Sequence, residues 1–271
     1  MSDTRANNQA MLETLSKVPA VTIGFWIIKI LATTLGETGG DTVSMSYTDM
    51  VGMSHDAGYV IGTALFLPLL AVLAWFQIRA RSFYPWLYWA TIIASTMAGT
   101  TIADFATRSI GIGYAGGSAL LLTLVLGTLA AWKWSLGSIA SDSISTPKAE
   151  VFYWITITFS QTLGTALGDW IADTSGFGYL GGAVLFAALL VIVAALYFYT
   201  ASSKILLFWA AFILTRPLGA TVGDFLDKPL AKGGLDLSRP VASIVLAAAI
   251  AALIIFLPQR AGGHSENCAE L

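Results

Sequence analysis

Four aspartates occupy the same place in a repeated sequence pattern, and carboxylates bind protons and hard cations. In each copy a tryptophan precedes a glycine by ten residues, and the aspartate follows that glycine by five. The four sets are Trp26/Gly36/Asp41, Trp89/Gly99/Asp104, Trp154/Gly164/Asp169 and Trp209/Gly219/Asp224. Chance does not explain four identical spacings, so the sequence predicts an internal repeat.

Two stripes of residues accompany each aspartate, at the four-residue steps that define one helix face. The first stripe is small and predicts close helix packing rather than a ligand site; it comprises Ala32/Gly36/Gly40, Ser95/Gly99/Ala103, Ser160/Gly164/Gly168 and Thr215/Gly219/Gly223. The second stripe is polar and comprises Thr33/Glu37/Asp41, Thr96/Thr100/Asp104, Gln161/Thr165/Asp169 and Arg216/Ala220/Asp224.

The carboxylates of the polar stripe are the candidate cation ligands: Glu37, Asp41, Asp104, Asp169 and Asp224. A carboxylate in hydrocarbon is costly and should face the bundle interior, water or a cationic partner. The alternative is a helix-end or interfacial carboxylate that bonds to nearby backbone. Oxygen ligands suit Mg²⁺, Mn²⁺ or Ca²⁺ better than copper or zinc, so such an ion could bind, although we predict no resident cofactor.

Two cations lie deep in the apolar segments, Lys29 and Arg216. Pro217 follows Arg216 and predicts a perturbed or broken helix, which in membrane transporters is a pointer to the central site. The alternative is a structural arginine that satisfies backbone carbonyls or pairs with Glu37.

The charges of this layer favour a cation or protons over an anion. The five candidate carboxylates outnumber Lys29 and Arg216 by three. The next turn adds no net charge, because two cations there offset two aspartates: Arg108, Lys228, Asp173 and Asp227.

The two middle aspartates differ in the residue one turn farther along the helix. Arg108 can pair with Asp104, whereas Asp173 repels Asp169 unless a cation or a partner from another repeat intervenes. We therefore expect Asp169 to be the proton- or metal-coupled position and Asp104 to serve stability.

The elements that carry these residues are apolar. Of 271 residues, 56% are hydrophobic and 11% charged, and the mean hydropathy is +0.74. We predict an all-α integral membrane protein with about eight transmembrane helices in four parallel two-helix repeats. The predicted spans are 19–40, 58–78, 84–105, 113–134, 150–171, 178–199, 204–226 and 240–258. The predicted repeats cover about 18–81, 82–146, 147–202 and 203–258, with polar tails at 1–17 and 259–271.

Charge topology predicts the orientation. The tails and even-numbered connections hold eight Lys and Arg, against four on the opposite face. The positive-inside rule then places both termini in the cytoplasm. A net charge of −2 gives no footprint for nucleic acid. The expected partners are the lipid bilayer and a small cation or proton, and the chain could form a homo-oligomer.

The sequence carries no recognisable enzyme motif. His55 and His264 are not spaced as metal ligands, and Cys268 is the single cysteine. Two triple-glycine runs, Gly111 to Gly116 and Gly176 to Gly181, match a dinucleotide-binding spacing, but they lie between membrane helices and predict tight turns. We expect that the protein is not an enzyme.

The repeats resemble a bacterial membrane-protein family called domain of unknown function 347. The resemblance rests on the four tryptophans and on the runs from Gly36 to Asp41 and from Gly111 to Gly117, and it covers residues 18–258. It implies a bacterial inner membrane but no substrate. The fourth copy departs from the others, with Arg216-Pro217 and no tyrosine after Gly234.

Together these features favour a secondary transporter or exporter of a small cation, such as a divalent metal. The alternative is a non-transporting membrane scaffold or sensor whose polar stripes serve helix packing.

Overall fold

A computed structural model describes residues 16–141 and 144–262 of the chain. Within these residues eight long helices follow one another, and we number them α1 to α8. They are α1 (Ile23–Asp41), α2 (His55–Arg79), α3 (Pro85–Asp104), α4 (Gly113–Leu136), α5 (Pro147–Asp169), α6 (Gly178–Tyr199), α7 (Lys204–Asp227) and α8 (Arg239–Phe256). The predicted tails lie mostly outside the described residues.

Local sequence sets the helix boundaries. Thr22, Ser54, Thr146 and Ser203 cap the starts of four helices with side-chain oxygens that accept a backbone N–H three residues on. Gly113 and Gly178 begin α4 and α6 at φ of 73° and 65°, a conformation that favours glycine. The triple-glycine runs therefore form turns before helices, as predicted.

The first three repeats share a local irregularity directly after their aspartate. A five-residue π-helical segment follows Asp41, Asp104 and Asp169. The segments are Thr42–Ser46, Phe105–Ser109 and Trp170–Thr174. In the fourth repeat α7 instead continues as an α-helix to Asp227. Wide turns of this kind are frequent at functional sites.

The prediction of a broken helix at Pro217 is wrong. Helix α7 runs without interruption through this residue. The inner helices α1 and α5 both pack against α7, and Pro217 is buried. Packing thus accommodates the proline, as lipid-embedded helices often do.

The four odd-numbered helices form a closed inner ring. Helix α1 contacts α3, α3 contacts α5, α5 contacts α7, and α7 contacts α1. Each even-numbered helix packs on the inner helix of the following repeat: α2 on α3, α4 on α5, α6 on α7, and α8 back on α1. The contact between α7 and α1 closes the ring, and α8 packs on the outside of α1.

The small stripe forms the contacts between inner helices. Each central glycine faces a polar-stripe residue of the next repeat so closely that a Cβ would overlap with it. The pairs are Gly36 with Thr96, Gly99 with Gln161, Gly164 with Arg216, and Gly219 with Thr33. The predicted packing role of these glycines is confirmed, and the polar stripes are turned toward the inside of the ring.

The helices support placement in a membrane. Among the described residues, five helices are long and apolar enough to cross a bilayer: α2, α4, α6, α7 and α8. The other three, α1, α3 and α5, have 19 to 23 residues but carry most of the polar stripes. These three are covered by their neighbours, so their polar residues are buried in protein.

Candidate functional site

The polar stripes meet along the axis of the inner ring. Residues at equivalent positions of the four repeats are nearly all buried and form successive layers. The layers are Phe25/Tyr88/Tyr153/Phe208, Lys29/Ile92/Ile157/Phe212, Thr33/Thr96/Gln161/Arg216, Glu37/Thr100/Thr165/Ala220 and Asp41/Asp104/Asp169/Asp224. Along the axis, the layers thus change from mainly aromatic to hydroxyl-bearing and then to carboxylate side chains.

Arg216 occupies the centre of the ring with a fully buried side chain. Its Nη1 and Nη2 each donate to Glu37 Oε2 at 3.0 Å. Nη2 also donates to Thr100 Oγ1 at 2.7 Å and to Thr165 Oγ1. One arginine of the fourth repeat therefore binds a polar residue from each of the other three. Ala220, the fourth member of the layer, leaves room for the guanidinium.

The aspartate layer is divided between two cations. Lys228 Nζ lies 2.8 Å from Asp41 Oδ2 and 2.9 Å from Asp224 Oδ1. We call this arrangement the lysine clamp. Burial alone would lower the pKa of Lys228, but the adjacent carboxylates, Asp224 foremost, raise it well above its usual value.

The other two aspartates are held by Arg108. Its Nε lies 3.0 Å from Asp104 Oδ1, and its Nη2 donates to Asp169 Oδ2 at 2.8 Å. We call this arrangement the arginine clamp. The pairing with Asp104 was predicted. Arg108 is also the partner from another repeat that intervenes at Asp169, so Asp169 is not an uncompensated carboxylate.

Asp173 takes no part in either clamp. It is exposed, and its carboxylate accepts hydrogen bonds from Tyr114 at 3.2 Å and Tyr179 at 3.1 Å. The charge tally of the next turn grouped Arg108 with Asp173, whereas the side chain of Arg108 pairs with Asp104 and Asp169 of the aspartate layer.

Two further charges lie beside the lysine clamp and were not predicted as site residues. Arg239 Nε lies 3.4 Å from Asp227 Oδ2 and 3.9 Å from Asp41 Oδ2. Arg239 begins α8, which reaches this place because α8 packs on α1. No local spacing could have revealed that contact. In this region six carboxylates face four cations: Glu37, Asp41, Asp104, Asp169, Asp224 and Asp227 against Arg108, Arg216, Lys228 and Arg239.

Three of the predicted ligands are close enough to share one metal ion. Carboxylate oxygens of Glu37, Asp41 and Asp224 lie within 4.8 Å of one another, and all three residues are buried. Asp41 Oδ1 has no hydrogen-bond partner among the described residues. Asp104 and Asp169 are not members of this group. The five predicted ligands therefore separate into an oxygen-rich triad and an arginine-bound pair.

Lys29 lies apart from these carboxylates, two layers from Glu37 and three from the aspartates. Its Nζ is 4.1 Å from the ring centre of Phe212 and has no hydrogen-bond partner among the described residues. The next layer holds a hydrogen bond of 2.7 Å between the hydroxyls of Tyr88 and Tyr153. This tyrosine pair was not predicted, although both residues lie on the extension of the polar stripe.

A family model matches the chain four times in tandem. It is described as "Repeat of Unknown Function (DUF347)" and covers residues 24–83, 87–138, 152–203 and 207–258. No curated protein matches, and no solved structure matches. The four matched segments coincide with the four helix pairs, in agreement with the predicted repeats.

Proposed function

This chain belongs to the DUF347 repeat family, and we propose that it is a secondary transporter or exporter of a small cation. The proposed cargo is a proton or a hard divalent ion such as Mg²⁺, Mn²⁺ or Ca²⁺. The proposal includes no enzymatic step and no resident cofactor.

The observation that carries the proposal is the lysine clamp together with Glu37. Three buried carboxylates converge beside one ammonium group at the ring axis. Ionisable groups within membrane segments are costly and are typical of ion pathways. Oxygen ligands of this number and charge suit a hard cation. Ion pairing alone is weak evidence of stabilisation, because desolvation offsets much of its attraction.

Lys228 suggests how a cation could enter and leave. An ammonium group is a compact point charge on a flexible stem, so it resembles a bound monovalent ion in position and sign. We propose that an incoming cation displaces Lys228 from Asp41 and Asp224 and that Lys228 returns when the cation leaves. The ammonium group of Lys228 would then neutralise Asp41 and Asp224 while the transporter returns without bound cation.

The closed axis fits a gated path rather than an open pore. Arg216 and the layer of Lys29, Ile92, Ile157 and Phe212 fill the axis on the side where Pro19 pairs with Ala261. Cargo bound at the lysine clamp would pass only after the Arg216–Glu37 pair separates. Glu37 belongs to both groups, so occupancy of the clamp can be coupled to that separation.

We also propose eight membrane spans in a bacterial inner membrane, with both termini cytoplasmic. The outer helices would shield the polar α1, α3 and α5 from lipid. Pro19 and Ala261 form a backbone bridge, so the two ends of the helical region lie on one side. Reporter fusions at Ala80 and at Gly234 test the orientation, and a cytoplasmic report from Gly234 contradicts it.

Ion flux into proteoliposomes tests the proposal. We expect wild-type protein to move Mg²⁺, Mn²⁺, Ca²⁺ or protons above the rate of empty liposomes, and Asp41→Asn to lose this flux. Asp173→Asn is the matched control, because it removes a carboxylate outside the clamps. Absence of flux under all these gradients would favour the scaffold or sensor, for which the dense packing of the polar stripes is the supporting observation.

A further inference from the structure

A lateral groove separates α2 from α5 on the outer surface of the helical bundle. It has a volume of about 310 Å³ and an almost wholly apolar lining. Leu70, Ala71 and Ala74 form the α2 side, and Trp154, Ile155 and Phe159 form the α5 side. A volume of this order is in the range of ligand sites. The groove faces the space that lipid would fill.

Basic residues adjoin one end of the groove in the sequence. Ile78 and Val151 line that end, and three exposed cations lie within three residues of them: Arg79, Arg81 and Lys148. Lys17 joins the two sides, because it donates to the oxygen of Ile78 at 3.0 Å and lies 2.5 Å from Glu150 Oε1. Lys17 thus links α2 and α5 at this end of the groove, while the Arg79 guanidinium lies 4.6 Å from the ring centre of Trp75.

Trp154, which lines the groove, has a buried indole nitrogen and differs in its hydrogen bonding from two equivalent tryptophans. Trp89 Nε1 donates to Gln259 and Trp209 Nε1 donates to the oxygen of Ile139. The equivalent Trp154 lines the groove, and its Nε1 has no partner among the described residues. Within the described part of the chain, the surroundings of Trp154 therefore lack the hydrogen-bond acceptor that those two tryptophans have.

We propose that this groove binds one anionic phospholipid, with an acyl chain along α2 and α5 and its phosphate among Arg79, Arg81 and Lys148. Basic residues at the membrane surface attract anionic headgroups, whereas the apolar lining suits a lipid tail. The complementarity of both charge and polarity argues for a phospholipid rather than a protein helix. This site depends on membrane placement but not on transport.

Native mass spectrometry of the purified full-length protein can test the site, with phosphatidylglycerol and phosphatidylcholine of identical acyl chains as probes. We expect wild-type protein to bind one phosphatidylglycerol in preference to phosphatidylcholine. The double variant Arg79→Gln/Lys148→Gln should bind phosphatidylglycerol roughly 25-fold more weakly, from about fivefold per cation, with phosphatidylcholine unchanged.

Matched controls separate the groove from general surface charge and bulk. Lys133→Gln/Lys204→Gln removes two exposed cations at corresponding ends of α4 and α7 and should leave binding unchanged. Ala71→Trp fills the groove and should weaken both lipids, whereas Ala130→Trp on exposed α4 should not. Equal binding of the two lipids to wild type would overturn the proposal. So would equal losses in the two charge variants, or unchanged binding in Ala71→Trp.

Discussion

Each of the two clamps in the aspartate layer pairs one cation with two buried aspartates, but the cations differ. Each joins aspartates of adjacent repeats through a residue four positions after one of them. Arg108 spreads its charge over a planar guanidinium that reaches both partners, and its side chain is 29% exposed. Lys228 presents a point charge, and its side chain is 10% exposed.

This difference between the two cations indicates different roles for the two clamps. A guanidinium fixes the geometry of its carboxylates and stays charged, whereas an ammonium group is more readily replaced by a metal ion. The lysine clamp also has the additional carboxylate of Glu37. We therefore assign exchangeable cation binding to the lysine clamp and structural pairing to the arginine clamp.

The largest effect is expected from Arg108→Met. The substitution leaves Asp104 and Asp169 buried without their cation, which should lower the free energy of unfolding by about 3–5 kcal/mol. Thermal unfolding in detergent would measure the loss, and added Mg²⁺ or Mn²⁺ should not restore stability. Arg81→Met, which removes an exposed cation, should change stability little. Full recovery of Arg108→Met by a divalent ion would remove the distinction between the clamps.

Asp224→Asn should break the lysine clamp as a transport site. Loss of a carboxylate ligand is expected to reduce cation flux roughly 100-fold, since even indirect supporting groups cost 10–100-fold. Proteoliposome flux, normalised to inserted protein, provides the measurement. Flux equal to wild type in this folded variant would show that cations do not pass through the clamp.

Asp104→Asn and Asp169→Asn should behave alike, because Arg108 contacts both residues. Each retains one charged partner for Arg108, so we expect a stability loss of about 1–3 kcal/mol and flux within roughly threefold of wild type, a difference below 1 kcal/mol. Parallel unfolding and flux measurements test the pair. Selective loss of flux in Asp169→Asn would instead support Asp169 as the coupled carboxylate, as its sequence neighbour Asp173 suggested.

Arg239→Gln should have the smallest effect. The guanidinium lies 3.4 Å from Asp227 and 3.9 Å from Asp41, at the edge of the lysine clamp. Lys228 remains beside Asp41 and lies 4.0 Å from Asp227 Oδ1. The buried carboxylates therefore keep one cation, and we expect a loss of about 1 kcal/mol, the low end of the cost of an unsatisfied buried group. Thermal unfolding would detect it, and a loss as large as that of Arg108→Met would mean that Arg239 is the principal counter-ion of Asp41.

The sequence predicted features that depend on one helix at a time. The repeated spacing of glycine and aspartate, as in Gly99 and Asp104 of the second repeat, identified the helices. The packing stripe and the polar stripe followed, because four-residue steps define one helix face. It also identified the pair of Arg108 with Asp104, which lie on the same helix. These predictions required no knowledge of how the repeats are arranged.

Contacts between different repeats could not be predicted from the spacing within one helix. The link from Arg108 to Asp169 and the approach of Arg239 to Asp41 depend on the order of helices in the closed ring. Pro217 was misread because neighbouring helices stabilise α7 where an isolated helix would break. The arrangement of the ring thus determines which carboxylates share a cation.

The affinity for Mn²⁺ of Lys228→Met, compared with that of Arg108→Met, tests the division between the clamps most directly. Titration of the purified proteins with Mn²⁺, followed by electron paramagnetic resonance, measures free and bound ion. If Lys228 competes with the cargo, Lys228→Met should bind Mn²⁺ at least roughly tenfold more tightly than wild type, or about 1.4 kcal/mol. Arg108→Met should not gain affinity. Unchanged affinity in Lys228→Met, or a greater gain in Arg108→Met, would contradict exchange at the lysine clamp.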